Sequence, residues 1–131
     1  MKRLFRHATS DRGASAVEFG LVLPLLVLVL MGILDWGYYF FTEQVVVNAA
    51  REGARAGSLQ ALDDAAAQAD AQAAALTFVA NGGLDASKAT VAVTLGGQAA
   101  TVHVEYPAGS LTGFSDLVLP ASARATALMR R

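Results

Sequence analysis

A run of sixteen residues without a charged side chain, residues 19–34, constrains the fold of this chain more than any other feature. The core of a lipid bilayer needs about 20 apolar helical residues. At about 1.5 Å per residue, residues 14–42 would form a helix roughly 43 Å long. This segment is therefore predicted to be a transmembrane helix whose end emerges from the bilayer. Pro24 removes one helical hydrogen bond and is expected to bend the helix.

Glu18 directly precedes this run. A charged side chain costs roughly 2.5–3.5 kcal/mol at the centre of a bilayer and less near its edge, so Glu18 requires a partner or a function. At the other end of the run, Asp35 is expected to be solvated in the outer headgroup layer beside Trp36. A role of Asp35 in subunit pairing is the less favoured alternative. The aromatic residues 38–41 are expected to anchor the helix in lipid at the same interface.

The distribution of charge predicts the orientation of the helix. Residues 1–13 form a basic leader with four basic side chains and one acidic one, whereas residues 14–131 carry six basic and ten acidic side chains. The positive-inside rule therefore places the N-terminus in the cytoplasm and residues 43–131 outside it. The net charge of −1 gives no support for a nucleic-acid partner. The absence of cysteine excludes disulfides and thiolate metal sites.

Residues 43–131 are predicted to form a small extracytoplasmic α+β domain, so that the fold class of the chain is α+β. The first helix is expected to continue beyond the membrane and to weaken at Gly53 and Gly57, with Ser58 as the N-cap of a second helix over about 59–80. The sequence Asn-Gly-Gly at 81–83 should end that helix. Its apolar stripe is expected to comprise Leu59, Leu62, Ala66, Ala69, Ala73, Leu76 and Ala80.

Beyond residue 89 the apolar period changes to two. Residues 90–95 and 99–106 are predicted to form a hairpin with a tight turn at Gly96-Gly97. Residues 121–129 are expected to supply a third strand, which gives the smallest sheet that is stable on its own. A helix packed on this antiparallel sheet of about three strands would cover one face.

Two sequence motifs carry a family resemblance. Residues 12–19 read RGASAVEF, and residues 47–57 read VNAAREGARAG. Together with the basic leader and the proline-bearing apolar run, they make the chain resemble the TadE-like pseudopilin family of the tight-adherence (Tad, or Flp) pilus system, within the type IV pilin superfamily. The resemblance covers about residues 12–57.

This resemblance implies that a membrane-embedded aspartyl prepilin peptidase cuts between Gly13 and Ala14. Glu18 would then be the fifth residue of the mature chain, where the glutamate of related pilins is thought to meet the N-terminal amine of a neighbouring subunit. Phe19 replaces the tyrosine expected beside that glutamate in the short Flp-type major pilin. The mature chain would also be longer than that pilin and would carry an external domain. These departures favour a minor pseudopilin that helps to assemble or prime a Tad pilus.

The resemblance also implies the location and the partners. The protein would cross the inner membrane once, with a periplasmic C-terminal domain; whether it enters the pilus or stays at its base is left open. Its partners would be the prepilin peptidase, other pilins or pseudopilins, the inner-membrane pilus assembly platform and membrane lipid.

A charged motif follows the predicted span. Arg51 and Arg55 lie four residues apart on one helix face, and Glu52 can reach Arg55. A solvated surface and an interface to a partner pilin are both open for these three residues. Ala49, Gly53 and Gly57 form a ridge of small residues that would admit a close helix.

No catalytic set emerges from the sequence, and an enzyme is not expected. His7 lies in the leader, and His103 has no serine or acidic partner at motif spacing. The paired glycines lack the context of a phosphate-binding loop, and no cluster of metal ligands is present in the sequence. No cofactor is therefore expected.

Two other functions are open. One is a pseudopilin of another secretion system, which would share the leader but lack the AAREGAR sequence. The other is a signal-anchored module that keeps residues 1–13 and uses its external domain for binding or cell adhesion. The residues after Leu34 lack the small-x-small site of a cleaved secretory signal, so the span should be retained in either case.

Overall fold

A computed structural model of the protein describes residues 11–60 and 63–130. The leader residues 1–10, with His7, and Leu62 of the expected stripe lie outside the described residues. The chain is α+β, with a long first helix, a second helix and a three-stranded antiparallel sheet, as predicted. The elements are α1 (Asp11–Leu59), α2 (Asp64–Asn81), a 3₁₀ turn (Ala86–Lys88), β1 (Thr90–Gly96), β2 (Ala99–Pro107) and β3 (Ser122–Arg130).

Helix α1 is continuous over 49 residues but has two different halves. Residues 13–34 are exposed, apart from Gly32, which is half-buried. From Asp35 onward one face of the helix is buried against the rest of the chain. The buried positions on this face are Asp35, Thr42, Val45, Val46, Ala49, Ala50, Gly53, Ala54 and Gly57. From Thr42 onward these positions follow the i, i+3, i+4, i+7 pattern of one helix face.

Helix α2 begins later than the sequence suggested. Its N-cap is Asp63, whose carboxylate accepts hydrogen bonds from the amides of Ala65 and Ala66 at 2.9 and 3.1 Å. The prediction of Ser58 as the N-cap was wrong, because α1 runs on to Leu59 and the Ser58 hydroxyl donates to the carbonyl of Arg55 within it. A carboxylate at the cap satisfies two amides that the helix itself leaves without partners.

The buried face of α2 also differs from the expected stripe. Ala67, Ala71, Ala75 and Val79 are buried, whereas Ala69, Ala73 and Ala80 are exposed. Alanine occurs on several faces of this helix, so apolar spacing alone could not select the one that packs. The end of α2 at Asn81 agrees with the prediction; the amide of Gly82 donates to the carbonyl of Phe78, and Gly83 has a φ of +80°.

The sheet has the strand order β1-β2-β3, and both pairings are antiparallel. The hairpin turn consists of Gly97 and Gln98, one residue later than predicted, because Gly96 still pairs with Ala99. Gly97 has a φ of +56°, which a turn of type II′ requires at its first central position. The third strand is confirmed over 122–130.

Both helices cover one face of the sheet, so the predicted packing of a helix on the sheet is confirmed. α1 contacts β2 and β3, and α2 contacts β1 and α1. On the central strand the side chains of Ala100, Val102, Val104 and Tyr106 alternate into the core. The core is therefore built mainly from valine and alanine, and its small side chains allow the two helices and the sheet to approach closely.

Candidate functional site

The residues of the predicted processing and assembly site lie on the exposed half of α1. Gly13 and Ala14 are in its first turns, and Glu18 and Phe19 follow one turn later. All four are exposed to solvent, and within the described part of the chain Glu18 has no ion-pair partner. The α+β domain does not reach this end of the helix, so any partner of Glu18 must come from outside the described fold.

Helix α1 meets the length and hydropathy criteria of a membrane span. An 18-residue window of it has a mean hydropathy of 2.6, and none of that window is buried inside the protein. A core helix of a soluble protein would instead be covered by its own chain. The helix is thus compatible with a single-pass membrane anchor near the N-terminus.

Asp35 overturns the expectation of a solvated carboxylate. Its side chain is fully buried, and three donors from the loop between β2 and β3 converge on it. The amide of Thr112 donates to Oδ1 at 2.8 Å, and the Thr112 hydroxyl and the Ser115 amide donate to Oδ2 at 2.8 and 3.1 Å. A buried carboxylate is tolerated when its lone pairs are satisfied in this way. We call Asp35, Thr112 and Ser115 the Asp35 clasp.

The clasp fastens the loop of residues 108–121 to α1 at the point where the exposed half of the helix ends. The loop has further bonds of its own: the carboxylate of Asp116 accepts from the amide of Ser110 at 3.0 Å, and the Ser110 hydroxyl accepts from the amide of Gly113 at 2.8 Å. The hydroxyl and amide of Ser110 hold the pKa of Asp116 below its usual value. The loop is therefore folded on α1 and is internally bonded.

The charged motif at residues 51–55 of α1 forms the ion pair that was expected. Arg55 Nη2 lies 2.8 Å from Glu52 Oε1, and Arg55 Nε lies 3.1 Å from Glu52 Oε2. The Arg55 hydrogen bond lowers the pKa of Glu52, and that of Arg55 is raised in turn. Arg51 is exposed and has no salt-bridge partner among the residues that the structure describes. The pair is exposed too, so it adds little stability and leaves the motif open to a partner.

The ridge of small residues packs against the chain's own second helix. A Cβ added at Gly53 would lie 2.9 Å from the Ala71 carbonyl oxygen and 3.1 Å from the Ala75 Cβ. At Gly57 it would lie 3.1 Å from the Ala71 Cβ. The expectation of a close helix is thus met by α2, and these glycines are not available to another subunit.

The remaining candidate from the sequence, His103, lies on the sheet. His103 Nδ1 lies 2.9 Å from the Thr126 hydroxyl on the exposed side of the sheet. Among residues 11–60 and 63–130 no group of three metal-binding side chains occurs.

Comparison with known families addresses the first helix. Residues 13–55 match the family model described as TadE-like protein. This segment is TadE-like. The match spans Glu18, Asp35 and the Arg51–Arg55 motif, and it ends before α2 and the sheet. TadE-like proteins are pilus-associated structural proteins and are not known as enzymes, so the match suggests that this segment comes from a Tad pilus-associated protein. No curated protein and no solved structure matches the chain.

The Asp35 clasp is the feature of this chain that sequence reasoning missed. Thr112 and Ser115 lie 77 and 80 residues from Asp35 along the chain. The sequence shows both the charged Asp35 beside an apolar run and the hydroxyl-bearing residues of the loop. Their separation along the chain gives no reason to expect a contact between them.

Proposed function

We propose that this protein is a minor pseudopilin that takes part in the assembly or priming of a Tad pilus. One observation carries the proposal: a single helix holds an α+β domain on one half and leaves its apolar half bare, with Glu18 near the bare end. The TadE-like match of residues 13–55 supports it. In this proposal residues 1–13 are the leader, 14–42 the inner-membrane span and 43–131 the periplasmic domain.

Assembly would follow from the electrostatics of the bare helix. Cleavage after Gly13 gives Ala14 a free ammonium group, and Glu18 then lies one turn along the same helix. Opposite charges attract strongly in a low-dielectric layer, and each resists burial when it is alone. Pairing of Glu18 with the amine of a neighbouring subunit would satisfy both charges, so lateral association of spans would be favoured once the leader is removed.

The exposed charged motif gives the periplasmic part a candidate contact. Arg51, Glu52 and Arg55 lie on the side of α1 that the domain leaves uncovered. Glu52 also borders a shallow groove between the helices, which Ala73, Ala74, Thr77, Phe78 and Asn81 complete. A partner pilin that docks along α1 would meet both the ion pair and this groove.

Processing can be tested with one variant and a matched control. In cells that carry the Tad peptidase, Gly13→Leu should leave the full-length precursor, since the peptidase needs the bare backbone that glycine offers. Gly20→Leu changes the same residue type at a position with no atom within 4 Å of a new Cβ, so it should still be processed. Intact mass and N-terminal sequencing read the outcome.

The results separate the proposal from its rival. An N-terminus at Ala14 in the wild type supports pilin processing, whereas Met1 or Lys2 supports a signal-anchored binding or adhesion module. The same product from Gly13→Leu and from the wild type would remove the peptidase from the proposal.

The role of Glu18 has its own test. Glu18→Gln removes the charge that would pair with the amine, so pilus yield should fall sharply. Glu43→Gln makes the same change in the packed half of α1 and should leave the yield unchanged. Normal filaments in wild-type amounts from Glu18→Gln would defeat the electrostatic mechanism.

A further inference from the structure

The loop between β2 and β3 exposes several large apolar side chains within a few residues of one another. The side chain of Leu117 is 98% exposed, and Leu111, Phe114 and Val118 are more than half exposed. Soluble surfaces scatter such residues singly and seldom concentrate them. We call these four residues the apolar tip. So many exposed apolar side chains in one place indicate that the tip contacts an apolar environment.

The direction of the sheet sets the end of the domain at which the apolar tip lies. A Cβ at Gly57 would lie 3.5 Å from the Ala100 Cβ, and one at Gly53 would lie 3.2 Å from a Val102 methyl group. β2 therefore runs back along α1 towards its N-terminal half. At the far end of β2, Pro107 pairs with Ser122.

The start of β3 lies on the same stretch of α1. Residues 120–122 share a shallow surface depression with Tyr39 and Glu43. Thr112 and Ser115, earlier in the same loop, contact Asp35, which is closer to the N-terminus of α1 than Tyr39. The apolar tip is consequently at the end of the domain that faces the bare half of the helix.

The clasp places the tip at a defined depth. Asp35 lies 21 residues after Ala14, which is roughly 31 Å along a helix. The hydrocarbon core of a bilayer is about 30 Å thick. If the span begins at Ala14, the Asp35 clasp lies at the outer boundary of the hydrocarbon, and the tip beside it lies at the lipid interface.

The polar groups of the loop are compatible with that position. Asp116 is the one ionisable residue among residues 108–121, and its carboxylate accepts the Ser110 amide. The amides of Ala108, Val118 and Leu119 donate to carbonyls within the same loop. Backbone groups that are already bonded can approach lipid at small cost, whereas unbonded ones cannot.

We propose that the apolar tip is a lipid-contact site, which inserts Leu111, Phe114, Leu117 and Val118 between the headgroups of the outer leaflet beside the span. The Asp35 clasp is the positioning device, because it fixes the tip at the depth where α1 leaves the hydrocarbon. The domain would thereby rest on the bilayer in a fixed orientation before assembly. This inference rests on the membrane span of the proposed function.

Tryptophan fluorescence tests the contact in the full chain. In a Trp36→Phe background, which keeps an aromatic ring beside Tyr39 and Phe40, Leu117→Trp is reconstituted into phosphatidylcholine–phosphatidylglycerol vesicles. Its emission should be blue-shifted, lose intensity with lipids brominated near the headgroup, and resist quenching by iodide. Leu128→Trp, an exposed leucine towards the other end of the sheet, is the matched control and should behave in the opposite way.

A third reporter, Leu26→Trp, monitors the span itself. If Leu26→Trp is quenched by brominated lipid and Leu117→Trp behaves like Leu128→Trp, the lipid contact is refuted while the span stands. If Leu26→Trp is not quenched even by lipids brominated deep in their acyl chains, both the span and this inference fail. A blue shift of Leu117→Trp without quenching by lipid would mean that another protein subunit covers the tip, and this too would overturn the proposal.

Discussion

Gly53→Ala should destabilise the α+β domain although alanine is the better helix former. The new Cβ would lie 2.9 Å from the Ala71 carbonyl oxygen, 3.1 Å from the Ala75 Cβ and 3.2 Å from a Val102 methyl group. The first of these atoms belongs to the backbone of α2, so it can give way only if the helix moves.

The expected magnitude is the difference of two effects. Overpacking a core costs about 1–3 kcal/mol, and three close contacts put Gly53 towards the upper end of that range. Replacing glycine by alanine in a helix stabilises the helix by about 1 kcal/mol. The free energy of unfolding should therefore fall by about 1–2 kcal/mol. For a domain of this size, that lowers Tm by roughly 4–16 °C.

Two further glycines of α1 make the test internally controlled. Gly37→Ala meets no atom within 4 Å, so it should show only the gain in helix propensity. Gly57→Ala meets the Ala71 Cβ at 3.1 Å and the Ala67 carbonyl oxygen at 3.3 Å, so its loss should be smaller than that of Gly53→Ala. The difference between Gly53→Ala and Gly37→Ala cancels the propensity gain and measures the clash.

Thermal unfolding of the full chain in detergent micelles provides the measurement. Near-ultraviolet circular dichroism, to which the buried Tyr106 contributes, follows the loss of tertiary packing in the domain. Tm should be highest for Gly37→Ala, lower for Gly57→Ala and lowest for Gly53→Ala. Equal Tm values for Gly53→Ala and Gly37→Ala would refute the close approach of α1 and α2.

Two other changes probe the loop and the sheet. Thr112→Val keeps the shape of the side chain but removes the hydroxyl that donates to Asp35, so Tm should fall. An unchanged Tm would show that the hydrogen bond from this hydroxyl does not stabilise the domain. In the sheet, Ser122 and then Arg124 lower the pKa of Glu105 below its usual 4.5. Stability from this group is therefore present above pH 4.5 and is lost as the pH falls through the lowered pKa. Acid should accordingly reduce Tm less in Glu105→Gln than in the wild type, and equal reductions would contradict the assignment.

The long helix and the hairpin illustrate what could be inferred from the sequence. Residues 19–34 have no charge to interrupt a helix, and the alternation at 90–95 and 99–106 matches β1 and β2 within a residue or two. These signals are local, because periodicity and turn residues act within a few positions. The Glu52–Arg55 pair was predictable for the same reason, since its spacing lies within one helical turn.

The packing face of α2 shows where local signals stop. Its expected stripe included Ala69 and Ala73, but Ala67 and Ala71 are the buried residues. Alanine lies on several faces of α2, so no face is clearly more hydrophobic than the others. The buried face is the one that Gly53 and Gly57 of α1 approach closely. A contact between two helices decided a question that the sequence of either helix left open.

The sequence by itself determined the apolar helix, its charge asymmetry, the TadE-like segment and the order of the elements, because each depends on neighbours along the chain. Only the tertiary structure decided that Asp35 is buried and that the loop of residues 108–121 lies against α1. The three donors that satisfy this carboxylate come from residues about 80 positions away, and their convergence depends on the register of β2 and β3 against the helix. The end of the bare half of α1 and the α+β domain are thus joined through a contact that no local pattern encodes.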